Sequence, residues 1–216
     1  MPDAAFITAV IPYPRQPRRV LVQVGGRVVA RLSGKLAGQL GLSAGQRWEE
    51  DLARRVGDAV AYDRVLSATT RWLGRRPRSR AQVQARLESR GVAPPMVQRL
   101  MQRLEELGLL DDAALGRELI AQITARRPAG PALLRAKLMQ RGLSEELAQH
   151  LAHEAVADSA RGRAQALALA RRRQSQLAGL PQASRARRLA GLLARRGFEE
   201  DIIHDVLAEL GLGGDA

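Results

Sequence analysis

Apolar and polar positions alternate early in the chain and then switch to helical spacing. Val20, Val22 and Val24 lie on one side of Gly25-Gly26, and Val28, Ala30 and Leu32 on the other. That pattern predicts a β-hairpin over Arg19–Ser33 closed by a two-residue turn. A lone two-stranded hairpin is marginal in water, so this one is expected to dock on something. Residues 1–17 hold Pro2, Pro12, Pro14 and Pro17 and are expected to form a flexible Pro-rich arm. Ser33–Leu40 and Trp48–Arg55 fit short helices, with Gly41 and Gly45 bracketing the loop between them.

From about residue 58 the chain reads as helix, and it repeats. Leu87-Glu88-Ser89-Arg90-Gly91-Val92 returns as Leu138-Met139-Gln140-Arg141-Gly142-Leu143 and again as Leu193-Ala194-Arg195-Arg196-Gly197-Phe198. An aliphatic stands four residues before each Leu (Val83, Leu134, Leu189) and another nine after each Gly (Leu100, Leu151, Val206). Aliphatics at i and i+4 make a narrow buried stripe on a short helix, and Gly ends that helix in the left-handed conformation. Arg90, Arg141 and Arg196 then sit in the last turn, where the helix dipole favours a cation. Ser79 with Gln82, Pro94-Pro95, and Ser144 with Glu145 and Glu146 mark helix starts. A longer helix precedes each pair of short ones, over about 58–73, 111–126 and 158–176.

The predicted fold is therefore mainly α, with tandem three-helix repeats in an elongated array and a small N-terminal β-hairpin element. Its parts are the arm at 1–17, the hairpin with short helices at 18–57, and helical repeats at 58–108, 109–157 and 158–212.

Composition narrows the function. Apolar residues make up 45% and aromatics 3%, so the core is aliphatic. The lack of Cys excludes disulfides, Cys-based zinc sites and a thiol nucleophile. No apolar run approaches the ~20 residues that span a bilayer. Met1–Val10 contains an acid and no Lys or Arg, unlike a signal peptide. A cytoplasmic protein without a membrane partner is expected.

Charge adds more. Lys and Arg number 35 against 22 Asp and Glu, for a net charge of +13, and only Lys35 and Lys137 are Lys. The cations come in blocks. Residues 11–47 and 159–198 contain no acid, and residues 64–103 contain only Glu88. Acids dominate 104–158 and 199–216. Blocks of this kind point to a polyanionic partner.

Candidate chemistry is sparse. His150 and His153 are three apart on one helix without acids to complete a zinc signature. His204 has Asp201 and Asp205 as nearby partners. Gly34-Lys35 lacks the spacing of a phosphate-cradling loop. Asp111-Asp112 suits a helix start, and Gly211–Gly214 a frayed tail. No catalytic residue, metal or cofactor is expected. The binding candidates are arginine clusters: Arg75, Arg76, Arg78 and Arg80; Arg126 and Arg127; Arg171, Arg172 and Arg173; Arg187, Arg188 and Arg195. Guanidinium forks suit phosphate and carboxylate alike. Few aromatics are present to stack on bases, so base-specific readout is not expected.

The order of hairpin, short helices, Trp72-Leu73-Gly74-Arg75-Arg76-Pro77-Arg78-Ser79-Arg80, Leu104-Glu105-Glu106-Leu107-Gly108-Leu109-Leu110-Asp111-Asp112 and Arg126-Arg127-Pro128-Ala129-Gly130-Pro131 resembles the RecX family, bacterial regulators of the RecA recombinase. The resemblance covers about residues 18–212 and is most specific over 71–143. The family usually carries an aromatic after Leu-Asp-Asp, where this chain has Ala113, Ala114 and Leu115.

The resemblance implies tandem three-helix repeats that bind in the deep groove of the RecA filament on single-stranded DNA. It implies inhibition of filament extension, ATP hydrolysis, strand exchange and the co-protease activity behind the SOS response, in DNA recombination and repair. Partners would be the RecA filament and, through the basic patches, single- or double-stranded DNA; the elongated array argues for a monomer. A stand-alone nucleic-acid-binding protein is the alternative, and an enzyme the least supported class.

Overall fold

The computed structural model describes residues 5–14, 16–155 and 159–213, with residues 159–161 as backbone only. The chain divides into two compact units. One holds residues up to Arg76 together with Gln98–Leu100, and the other holds Pro77–Val97 with the residues from Met101 onward.

In the first unit, β1 (Ile7–Tyr13), β2 (Gln16–Val24) and β3 (Arg27–Ser33) form one antiparallel sheet in the order β1-β2-β3. The hairpin forms about Gly25-Gly26, both at positive φ, and pairs Val22 with Ala30 and Val20 with Leu32. The expected flexible arm is corrected over residues 7–13, which are a strand; residues 1–4 and 15 lie outside the described residues. Pro12 does not prevent this, because β1 is an edge strand, where a missing N–H is tolerated. The start of β1 is held by Gln46 and Trp48: the Ile7 N–H donates to the Gln46 carbonyl at 2.9 Å, and the Trp48 N–H to the Ala5 carbonyl at 2.7 Å.

Helix α1 (Gly34–Gln39) starts where the Ser33 hydroxyl accepts from the Leu36 N–H. The short helix expected at Trp48–Arg55 is also corrected. It is the start of α2 (Glu50–Leu73), which runs without a break through Gly57, so the boundary drawn at 57/58 falls inside a helix. A mid-helix Gly costs about 1 kcal/mol. Burial of Leu52 and Val56 just before it, against Ile7, Val22, Leu32 and Ala37, offsets that cost.

In the second unit, α3 (Arg80–Glu88) carries the expected capping box between Ser79 and Gln82. Helix α4 (Pro94–Glu106) begins with its two prolines. The second long-short-short copy is α5 (Asp112–Arg126), α6 (Pro131–Gln140) and α7 (Glu145–Glu154), the last capped by Ser144. The third is α8 (Ser159–Gln174), a 3-10 turn at Ser175–Leu177, α9 (Gln182–Arg195) and α10 (Glu200–Glu209). Position 158, where the third long helix was expected to start, lies outside the described residues.

The repeated stripe is the core. Val83 and Leu87, Leu134 and Leu138, and Leu189 and Leu193 are all fully buried, each Leu contributing about 2 kcal/mol. Gly116 on α5 lets Leu143 and Leu151 pack directly against the helix backbone. The expected frayed tail is corrected at its start. Gly211 turns at positive φ and Leu212 is buried beside Leu177 and Leu189; Gly214 lies outside the described residues.

The helix-ending glycines also join the repeats. Gly142, at the end of α6, lies against the Ser79 cap of α3, where an added Cβ would stand 2.6 Å from Oγ. Gly197, at the end of α9, lies against the start of α6: the Gly130 N–H donates to the Arg196 carbonyl at 2.8 Å and the Ala132 N–H to the Gly197 carbonyl at 3.3 Å. Unpaired N–H groups of one helix thus meet unpaired carbonyls of another, the arrangement helix dipoles favour. A Cβ on either Gly130 or Gly197 would overlap backbone of the other segment.

Gly91 and Gly197 share a positive φ, but a Cβ on Gly91 meets open space. In urea unfolding, Gly91→Ala is expected to cost only the backbone term of about 1 kcal/mol. Gly197→Ala adds overpacking against Leu133 and is expected to cost about 3 kcal/mol. Equal losses would show that the junction is not close-packed.

Candidate polyanion-binding groove

The site grows from the Gly130–Gly197 junction. Helix α5 ends at Arg126 because Pro128 forces an extended conformation on Arg127, whose φ is −159°. The strap Arg127-Pro128-Ala129 then runs to Gly130, which is pinned to the end of α9. This brings Arg126 and Arg127 across from α8 and α9. The space between is a groove of about 760 Å³ with Leu169, Leu177 and Leu192 in its wall.

Helix geometry decides which arginines line it. Arg171, Arg172 and Arg173 are consecutive and so span about 200° of helix surface. Arg172 and Arg173 reach the groove. Arg171 does not: its Nη2 lies 3.1 Å from Glu209 on α10, beside Arg163, which pairs with Glu209 at 3.2 Å and Asp205 at 3.8 Å. The three were expected to act as one cluster, and the structure separates them. On α9, Arg187, Arg188 and Arg195 lie away from the buried Leu189 and Leu193 and line the groove. Arg196 lines it too. Its repeat pattern matches Arg90 and Arg141 and gives Arg196 a helix-dipole role, and nothing local in the sequence marks it as sharing a groove with Arg126.

The groove therefore collects Arg126, Arg127, Arg172, Arg173, Arg187, Arg188, Arg195 and Arg196, and no acid lines it. Among the described residues none of the eight forms an ion pair. Arg173 donates to Gln176, a neutral partner that leaves its charge uncompensated. Such a surface attracts phosphate oxygens by charge and by forked hydrogen bonds.

The remaining candidates lie elsewhere. Arg75 and Arg76 are exposed residues of the first unit. Arg80 pairs with Glu105, and its N–H donates to Asp112 at 2.9 Å. Arg78 is half-buried. Partial burial pushes the Arg86 guanidinium below its ordinary value, with the cations of Arg90 and Arg78 adding to the effect. Asp111 and Asp112 serve as caps, for Ala114 and Arg80 respectively. His150 lies 3.8 Å from Glu154. Among the described residues no three His, Cys, Asp or Glu side chains converge on a metal position, and no helix is long and apolar enough to cross a membrane.

Residues 66–104 match the sequence model of the first three-helix domain of RecX, and residues 163–207 that of the third. Regulatory protein RecX of Thermobifida fusca is 32% identical over 68% of this chain and 79% of its own length. Regulatory protein RecX of Prosthecochloris aestuarii is 32% identical over 68% of this chain and 93% of its own length. A crystal structure of regulatory protein RecX superposes with a TM-score of 0.79 at 17% identity, covering 94% of this chain and 99% of that one. Another, from Lactobacillus salivarius, gives 0.63 at 19% identity over 70% and 97%. Those two likenesses bear on the fold.

Eight like charges held together repel, and salt screens that repulsion. Where raising NaCl from 20 to 200 mM screens away about 1 kcal/mol of that repulsion, the unfolding midpoint is expected to rise by about 2–4 °C. The triple variant Arg172→Ala/Arg187→Ala/Arg188→Ala is expected to lose at least half of that rise, whereas Arg171→Ala, which breaks an attractive contact, is not.

Proposed function

The chain belongs to the RecX family, and on that premise we propose that it is a negative regulator of a RecA recombinase in the cytoplasm. It binds the RecA–single-stranded DNA filament in its groove, as a monomer and without chemistry of its own. It limits filament extension, ATP hydrolysis, strand exchange and SOS co-protease activity. The observation that carries this reading is the groove of eight arginines without an acid. A surface that needs many phosphates at once gains by counterion release along a continuous polyanion, and its binding weakens steeply with salt. Aromatics are too few for base stacking, which favours backbone contact at any sequence.

The second reading is a nucleic-acid-binding protein with no recombinase partner, and the same groove supports it. The two separate in one assay. The protein is expected to lower DNA-dependent ATP hydrolysis by its cognate RecA at sub-stoichiometric amounts. Arg172→Ala/Arg187→Ala/Arg188→Ala is expected to raise the amount needed by at least tenfold, and Arg171→Ala to change it less than twofold. Unchanged hydrolysis alongside tight binding to bare DNA would establish the second reading instead.

A further inference from the structure

A second groove, of about 630 Å³, lies between the last turns of α5 and α6 and shares Arg126 with the first. Its chemistry differs. Leu119 and Ile123 form the floor, Arg126, Lys137 and Arg141 the rim, and Gln122 and Gln140 add two amides. Among the described residues none of the three cations has an ion-pair partner; Lys137 donates only to Gln140, at 3.2 Å.

From this we infer a protein-docking site for a segment that carries aliphatic side chains beside carboxylates. The number of cations decides between partners. Three line this groove against eight in the first, too few to follow a phosphodiester chain, and no aromatic is present there to stack a base. An aliphatic side chain set on that floor gains about 25 cal/mol for each Å² of apolar surface removed from water. The rim cations then select neighbouring acids, and the glutamine amides can pair with peptide groups.

Through Arg126 the two grooves are adjacent, so one nucleoprotein presenting phosphate and acidic protein side by side would fill both. Which protein carries the segment rests on the function proposed above; the chemistry of the groove does not. The probe is an acetylated, amidated ten-residue peptide of alternating leucine and glutamate, titrated into the full chain and followed by backbone amide NMR. The peptide is expected to shift Gln122, Ile123, Lys137 and Gln140, and to bind Lys137→Glu/Gln140→Glu at least fivefold more weakly. Both positions are exposed, so that variant keeps the fold. Oligothymidylate is expected to shift Arg172, Arg187 and Arg188 and to leave the peptide bound.

Displacement of the peptide by oligothymidylate would make this groove a nucleic-acid surface. Absence of any peptide-induced shift there would make it solvated surface. Either result overturns the inference. Neither depends on whether RecA is inhibited, because the titration contains no recombinase.

Discussion

Everything distinctive about the arginine groove depends on the backbone of Gly130 lying against the backbone of Gly197. The two hydrogen bonds across that junction are ordinary in length, 2.8 and 3.3 Å. What matters is the absence of a side chain on either residue, which lets the start of α6 meet the end of α9 with no intervening atoms. Since the strap from Arg127 to Gly130 is only a few residues long, fixing Gly130 also fixes the end of α5. Two groups of arginines far apart in sequence become walls of one cleft through a contact in which none of their guanidiniums takes part.

That arrangement has an energetic consequence. Two like charges about 8 Å apart repel by about 0.5 kcal/mol at the dielectric constant of water, and more where protein displaces solvent. A flexible linker between the walls would relax the repulsion by letting them part. The junction prevents this, and the buried stripes of Leu134, Leu138, Leu189 and Leu193 hold the helices on either side of it. The favourable burial lies on one face of α9 and the repulsion on the other. Arg163 and Arg171 follow the opposite course, turning to Glu209 and Asp205 on α10. One arginine-rich helix therefore serves both packing and attraction, divided by the 100° step between consecutive residues.

These facts mark the limit of what the sequence discloses. The repeats, the Ser79 capping box, the proline starts and the positive-φ glycines were legible because each depends on residues a few positions apart. The groove partners Arg187, Arg188 and Arg195 were legible in part, since their face follows from the Leu189/Leu193 stripe. Arg171 was misplaced because its partner Glu209 is 38 residues away. Arg196 was overlooked because its local role accounts for it fully. Strand β1 was hidden by Pro12, whose tolerance depends on a sheet edge that appears only once the third strand is paired. Leu119 and Ile123 belong to the core around α5, and only the placement of Lys137 and Arg141 opposite them turns that surface into a rimmed groove.

The two junctions also explain why a repeat that recurs in sequence does not produce equivalent surfaces. At the first junction the N-cap is Ser79, whose N–H is occupied by Gln82 and whose hydroxyl meets Gly142. At the second the N-cap is Gly130, whose N–H is free to bond the neighbouring backbone directly. The serine junction keeps a side chain between the segments, and the glycine junction removes it. The corresponding position before α9 is Pro181, which has no N–H, and Gln182 after it donates its side chain to the Gly211 carbonyl of its own repeat. The backbone bond made by Gly130 is thus chemically impossible there. Of the three equivalent positions, only the one between the second and third repeats carries a residue able to draw two arginine-bearing segments into backbone contact, and that is where the acid-free groove lies.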